Sequence, residues 1–213
     1  MLEEGLASFL DLGNAWWIAY ALTYRSAIEA SRGDLATAMA TSREAMAVAR
    51  SHGVGYPLAL AQVHAFWQQE VLTPGHPEHG RPIGAALADA ERLGLEGLAG
   101  ALRWVRLLHR VADLRVPDGV VAGEVNRAVE AQRALPLTKG AWELQGRQVG
   151  AAVRRHRPAL AASVLPELEG VIETVIQRKA GTLDPRDRLV FHDTRLPWGE
   201  HGARVADAAW ALR

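Results

Sequence analysis

The sequence predicts an all-α protein in which helix pairs stack side by side as a solenoid. Three apolar runs each end at a glycine, Gly13, Gly53 and Gly94, and a new apolar run follows each one. The glycines are 40 and 41 residues apart. A period of that length is typical of helical repeats, which bury their apolar faces only against neighbouring repeats. The composition agrees, because 49% of the residues are hydrophobic, Ala and Leu dominate, and β-branched runs are few.

Charge and cysteine content exclude several classes of function. The 213 residues have a formal net charge of zero, so no global field favours nucleic acid or an anionic membrane. The chain contains no Cys, which excludes disulfides, Cys-ligated zinc and a thiol nucleophile. The start lacks the features of a signal peptide, and no apolar stretch approaches the roughly 20 residues of a membrane span. We therefore expect a cytoplasmic protein without membrane contact.

The first elements are predicted from apolar spacing and from capping residues. Residues 2–12 have helical spacing but no helix before them, so we expect the chain to begin within a repeat, as a segment of a longer protein would. Asn14 is a suitable N-cap for a helix over Ala15–Ser31. Gly33-Asp34 then ends that helix and caps the next, Leu35–Ser51, because Gly adopts left-handed conformations and Asp accepts from free N–H groups.

The second and third units follow the same order with one longer connection. A helix over 57–72 leads into a loop over 73–81, where Pro and Gly forbid helix, and Pro82 opens the partner helix. The third unit is predicted to have helices over 95–114 and from about residue 119 to 134.

The pattern weakens toward the C-terminus. Residues 140–156 and 158–179 could form a fourth pair, although Pro166 should kink or split the second helix. We therefore predict a repeat array over residues 1–180. Residues 181–213 are predicted to form an irregular C-terminal cap that ends in a short helix.

Residues 2–61 resemble the tetratricopeptide (TPR)-type repeats of bacterial LuxR-like, SARP-like and MalT-like transcriptional regulators. The resemblance rests on five motifs: Leu2-Glu3-Glu4-Gly5-Leu6-Ala7, Asp11-Leu12-Gly13-Asn14, Ile18-Ala19-Tyr20-Ala21-Leu22, Gly33-Asp34-Leu35-Ala36 and Ala45-Met46-Ala47-Val48-Ala49-Arg50. A weaker likeness extends to about Trp142. The resemblance implies a right-handed superhelix whose concave face binds a partner, with no catalysis. Arg25-Ser26 departs from it, because such repeats usually have a small pair such as Leu-Gly there.

Aromatic residues in successive first helices predict where a partner would bind. Trp67 and Trp104 lie in nearby positions of successive units, and Tyr20 and Tyr24 are their counterparts one unit earlier. An aromatic ladder on the inner face could bind a peptide or an apolar ligand. Core packing between repeats is the alternative that the sequence favours. The predicted groove residues are Tyr20, Tyr24, His64, Trp67 and Trp104.

Two groups of histidines and carboxylates could carry other chemistry. His76, Glu78 and His79 lie close together in the longest internal loop, where they could bind Zn²⁺ or Ni²⁺. His192-Asp193 and Glu200-His201 could form a general base or metal site. No Ser or Cys nucleophile motif accompanies them. The sequence favours solvated polar segments in both places, so we expect no catalytic residue, no metal and no cofactor.

An arginine stripe is the last candidate. Its members follow helical spacing and could bind phosphate, but acidic residues elsewhere cancel them, so a solvated helix face is favoured. They are Arg103, Arg106, Arg110, Arg115, Arg147, Arg154, Arg155 and Arg157. The chain has no phosphate-binding G-x-x-x-x-G-K-[ST] loop and no clear helix–turn–helix.

These observations favour a non-catalytic interaction module, the TPR-like sensor or scaffold part of a bacterial transcriptional regulator. Its partner would be a protein or peptide in the concave groove, or a small-molecule effector, without direct nucleic-acid contact by this segment. The alternative is a small helical metal-binding or small-molecule-binding protein or enzyme, in which the segment from Leu189 to His201 closes over a pocket. A purely structural segment without a ligand is a third option.

Overall fold

The computed structural model describes residues 2–134 and 142–182, and this part of the chain contains nine α-helices and no strand. The helices are α1 (Leu2–Asp11), α2 (Ala15–Ser31), α3 (Leu35–Ser51), α4 (Gly55–Leu72), α5 (Gly80–Arg92), α6 (Glu96–Ala112), α7 (Asp118–Ala134), α8 (Trp142–His156) and α9 (Pro158–Thr182). The all-α prediction is confirmed. Among the described helices, none is long and apolar enough to cross a membrane.

The periodic glycines end their helices as the sequence predicts. Gly13, Gly53 and Gly94 have φ values of +63°, +65° and +67°, in the left-handed region that side chains with a Cβ rarely adopt. Gly33, between α2 and α3, has a φ of +87°. The 40-residue period therefore marks a repeated helix-ending conformation.

The two predicted N-caps are also confirmed. The Asn14 side chain accepts a hydrogen bond from the backbone N–H of Trp17 at 3.3 Å. Asp34 accepts from the backbone N–H of Thr37 at 3.0 Å. Hydrogen bonds from Thr37 lower the pKa of Asp34, because they favour its charged form.

Two predictions about proline need correction. The helix after the long loop begins at Gly80, so Pro82 lies in its first turn and does not open it. Proline is tolerated there because the first backbone N–H groups of a helix have no intrahelical acceptor. Pro166 lies inside α9, which continues to Thr182, so it does not split the helix. Residues 183–213, which include most of the predicted cap, lie outside the described residues.

The principal helix contacts join helices that are one or two places apart in chain order. α2 packs against α3 and α4, α4 against α5 and α6, and α6 against α7 and α8, while α9 packs against α7 and α8. The three predicted first helices therefore lie next to one another in succession. The TPR-like form of the array, including its superhelical hand, stays a prediction.

The hydrophobic core of the described residues consists of four clusters, and Trp67 of α4 packs against several of them. The cluster between α6, α7, α8 and α9 includes Val111, Val125 and Leu168, each at most 1% exposed. A second cluster joins α4, α5 and α6, and two smaller ones involve α2, α3 and α4. Half-buried Trp67 packs against three of the four clusters. Helix α4 is therefore central to the packing of the described chain.

Ser26, one of the two residues that depart from the TPR-like motif, belongs to a buried polar network. Ser26 has no exposed surface, and its hydroxyl lies 2.6 Å from the hydroxyl of Ser42 on α3. It also accepts a hydrogen bond from Nε2 of Gln68 on α4 at 2.7 Å. Ser42 in turn lies 3.2 Å from Oε1 of Gln68. The small residue at this position joins three helices by hydrogen bonds, a role that glycine could not fill.

Candidate functional site

Six aromatic side chains from α1, α2 and α4 form a continuous aromatic surface. They are Phe9, Trp16, Trp17, Tyr20, Tyr24 and Tyr56. Trp16 stacks on Tyr20 and on Tyr56, with ring centroids 5.1 and 6.1 Å apart. Phe9 stacks on Trp17 at 5.5 Å. The rings therefore support one another across three helices.

Half of this aromatic surface is open to solvent. Trp17, Tyr24 and Tyr56 are 44%, 49% and 42% exposed, whereas Phe9, Trp16 and Tyr20 are half-buried beneath or beside them. The hydroxyls of Tyr20 and Tyr24 share a hydrogen bond of 3.1 Å. That bond and partial burial raise the pKa of Tyr24 to about 12, so the Tyr24 hydroxyl stays neutral at physiological pH.

The five predicted groove residues lie in different environments, and Trp104 is described separately below. Tyr20 and Tyr24 belong to the aromatic surface. His64 is half-buried on α4, and desolvation lowers its pKa to about 4. Trp67 lies at the junction of core clusters, where its Nε1 donates to Oε1 of Gln148 on α8. These positions do not make a single ladder.

Trp104 requires a correction. It is only 4% exposed and belongs to the core cluster of α6, α7, α8 and α9. A side chain that its own protein already covers offers almost no surface to a partner. Core packing, the alternative that the sequence favoured, therefore describes Trp104.

A buried carboxylate and two histidines converge at the C-terminal end of α4. Glu70 has no exposed surface, and its Oε1 lies 2.8 Å from Nδ1 of His79 and 3.1 Å from Nδ1 of His109. Its second oxygen accepts a hydrogen bond from the backbone N–H of Gly75 at 2.8 Å. One ligand atom from each of the three side chains lies within 4.8 Å of the others. We call Glu70, His79 and His109 the Glu–His cluster.

The Glu–His cluster revises the prediction made for the loop over residues 73–81. His79, one of the three candidates, is a member of the Glu–His cluster, whereas Glu78 is exposed and stands outside it. His76 is exposed, and its ring centroid lies 5.2 Å from that of His79. Sequence reasoning missed Glu70 and His109, which are 9 and 30 residues away from His79. The available signal was Glu70 itself, the one acidic residue of α4.

Several members of the arginine stripe pair with carboxylates within the described chain. Arg103 pairs with Glu91 at 2.7 Å, and Arg110 pairs with Glu124. Arg115 forms a bidentate pair with Asp113 and thereby lowers the pKa of that carboxyl to about 2. These pairings give no support to a phosphate-binding stripe.

Comparisons with protein-family models, with curated proteins and with solved structures find no match to this chain. The resemblance to bacterial transcriptional regulators therefore stays a prediction. The other predicted chemistry, His192-Asp193 and Glu200-His201 in the segment from Leu189 to His201, lies outside the described residues.

Proposed function

We propose that this chain is a non-catalytic interaction module, which binds a peptide segment of a protein partner on the aromatic surface. The observation that carries the proposal is the exposure, at 42–49%, of three aromatic side chains that each contact a half-buried ring: Trp17, Tyr24 and Tyr56. Large exposed aromatic groups on a rigid scaffold are the usual anchors of protein interfaces. The helices fix these rings before binding, which reduces the conformational entropy lost on association.

The chemistry of the surface defines the partner. Apolar ring faces dominate it, and the paired hydroxyls of Tyr20 and Tyr24 supply hydrogen-bonding groups. We expect a peptide with apolar or aromatic side chains, because these fill the spaces between rings while its backbone reaches the hydroxyls. A polyanion is disfavoured as a partner, since the aromatic surface consists of ring faces and tyrosine hydroxyls and has no cationic side chain among its six members.

The proposal includes the finer architecture, a TPR-like right-handed solenoid of helix pairs. The succession of α2, α4, α6 and α8 contacts supports it, because first helices line the inner face of such arrays. The proposed biological setting is the sensor or scaffold part of a bacterial transcriptional regulator, where a partner or a small effector is recognised by this segment. That setting rests on the sequence motifs alone.

A peptide-display experiment tests the proposed function. Random peptides are selected on the immobilised protein, and the affinity of a selected peptide is measured by calorimetry for the wild type and for Tyr24→Ala and Tyr56→Ala. We expect each variant to bind about tenfold more weakly or worse, as truncation of an interface anchor does. Leu114→Ala is the matched control, because Leu114 is 69% exposed and lies beyond α6.

Three results would contradict the proposal. Selection could yield no peptide that prefers the wild type to the tyrosine variants. The two tyrosine variants could instead unfold at much lower temperature, which would make these rings core residues. Sedimentation could also show a dimer that Tyr56→Ala dissociates, in which case a second copy of the chain, and no other partner, occupies the aromatic surface.

A further inference from the structure

We propose that the Glu–His cluster is a binding site for a divalent metal ion of the zinc class. Three different elements bring its members together: α4 carries Glu70, the loop before α5 carries His79, and α6 carries His109. Two imidazoles and one carboxylate form a donor set that zinc accepts in proteins. The site is independent of the aromatic surface.

The distances between donor atoms are close to those that a metal requires. Zinc binds nitrogen and oxygen at about 2.0–2.2 Å, so two ligands of a tetrahedral ion are roughly 3.3 Å apart. The Glu70 oxygen is 2.8 and 3.1 Å from the two Nδ1 atoms. These two distances are within a few tenths of an ångström of that spacing, and the three ligand atoms all lie within 4.8 Å of one another. Each imidazole would then carry its proton on Nε2, leaving Nδ1 free to coordinate.

Charge supplies the second argument. A carboxylate without solvent contact is unfavourable unless it is paired with positive charge, hydrogen-bonded or bound to a metal. Within the described part of the chain, the partners of Glu70 are two imidazoles and one backbone N–H, with no Lys or Arg among its ion pairs. A bound divalent cation, coordinated by both imidazoles through Nδ1, would balance the Glu70 charge.

The surrounding backbone makes room for the histidines. A Cβ at Gly80 would lie 2.9 Å from Nε2 of His109, so the absence of a side chain there lets the imidazole enter. His79 is partly accessible at 14% side-chain exposure, which leaves a route for an ion. The ring of exposed His76 lies 5.2 Å from that of His79, so His76 is a candidate for the fourth ligand. Water is the alternative donor.

Metal binding would have a clear structural consequence. The long connection between α4 and α5 would be clamped to α6 through His109, at the point where the tight turn of the first unit is replaced by a loop. The ion would thus fix the spacing of two successive repeat units. Hydrogen bonds within the Glu–His cluster alone would hold the loop to α6 more weakly. The difference can be measured as a change in thermal midpoint on adding the metal.

The experiment uses the whole chain, stripped of metal with a chelator and dialysed. Zn²⁺ alone is titrated by calorimetry, and Co²⁺ is used as a spectroscopic probe of coordination. We expect one Zn²⁺ per chain, a rise of the thermal midpoint on adding Zn²⁺, and intense visible bands from Co²⁺ in a four-coordinate site. Loss of a residue that supports a metal ligand costs 10–100-fold in affinity, so His79→Gln and Glu70→Gln should each cost about 100-fold or more. His52→Gln is the matched control, since His52 is an exposed histidine directly after α3.

The possible outcomes separate this proposal from the proposed function. Zinc binding that is absent from the wild type, or unchanged in His79→Gln, would overturn the metal site and leave peptide binding untouched. Equal loss in His52→Gln would also overturn it, because it would indicate adventitious surface binding. If Glu70→Gln does not fold, partly exposed His79 still decides the question. Tyr56→Ala should keep full zinc affinity even where it abolishes peptide binding.

Discussion

Arg157 is the residue whose replacement tests the packing of the C-terminal helices most directly. Arg157 connects α8 to α9, and its side chain is 6% exposed. The guanidinium donates to the carbonyl oxygens of Val111 at 3.0 Å, Val116 at 2.7 Å and Asp113 at 2.6 Å. It also pairs with the carboxylate of Asp118 at the start of α7. One side chain thus holds the end of α6, the following turn and the beginning of α7.

The expected cost of Arg157→Ala follows from these contacts. Several buried acceptors lose a charged donor at once, and each charged hydrogen bond contributes about 1.5–3 kcal/mol, although such contributions do not add. Breaking a buried ionic network typically costs about 3–5 kcal/mol. For a chain of this size, that corresponds to a fall in the thermal midpoint of about 6–20 °C. Arg157→Lys should lose much of the same stability, because an ammonium cannot reproduce the planar fork.

The assay is urea unfolding followed by circular dichroism, with Arg154→Ala as the matched control. Arg154 lies one turn earlier on α8 and pairs with Glu169, but both side chains are about half exposed, at 55% and 51%. An exposed pair contributes about 0–1 kcal/mol, so this variant should unfold nearly as the wild type does. Equal, small losses in Arg157→Ala and Arg154→Ala would refute the claim that Arg157 joins these helices.

Two further predictions concern a loop glycine and a histidine. Gly75→Ala should cost more than Gly13→Ala by about 1–3 kcal/mol in urea unfolding. Both residues have positive φ, but only a Cβ at Gly75 would meet backbone atoms of Ala112 and Asp113, at 2.5 Å. Equal costs would contradict this docking of the loop. Because His64 has a folded pKa of about 4, below its ordinary 6.5, its contribution is complete above pH 6.5. That contribution should fall by up to about 3 kcal/mol as the pH drops toward 4. His64→Gln should flatten this dependence, and an unchanged slope would exclude His64 as its cause.

Local features of the fold could be predicted because their causes lie within a few residues. Gly13, Gly53 and Gly94 end helices through their own backbone conformation. Asn14 and Asp34 cap helices by hydrogen bonds that reach three residues along the chain. Such signals do not depend on what packs against the helix, so they can be recognised in a single sequence.

Features that depend on distant residues were missed, because their causes are far apart in the sequence. Glu70 meets His109 across 39 positions, and Arg157 reaches Val111 across 46. In the sequence, Arg157 is one arginine among several on a presumed solvated face, and its burial depends on where α6 ends. Trp104 was predicted for the groove but lies in the core. An aromatic residue at this spacing is compatible with both places until its neighbours are known.

The two proposed sites lie at opposite ends of the same helix. Tyr56 is in the first turn of α4 and Glu70 in its last, so about 20 Å of helix separates them. Substitutions that far apart, without shared partners, act almost independently on stability. The aromatic surface involves α1, α2 and the start of α4, whereas the Glu–His cluster joins the end of α4 to α6. A metal at the Glu–His cluster would therefore act on the positions of α4 and α6, and a peptide on the aromatic surface would bind where that metal has no direct influence.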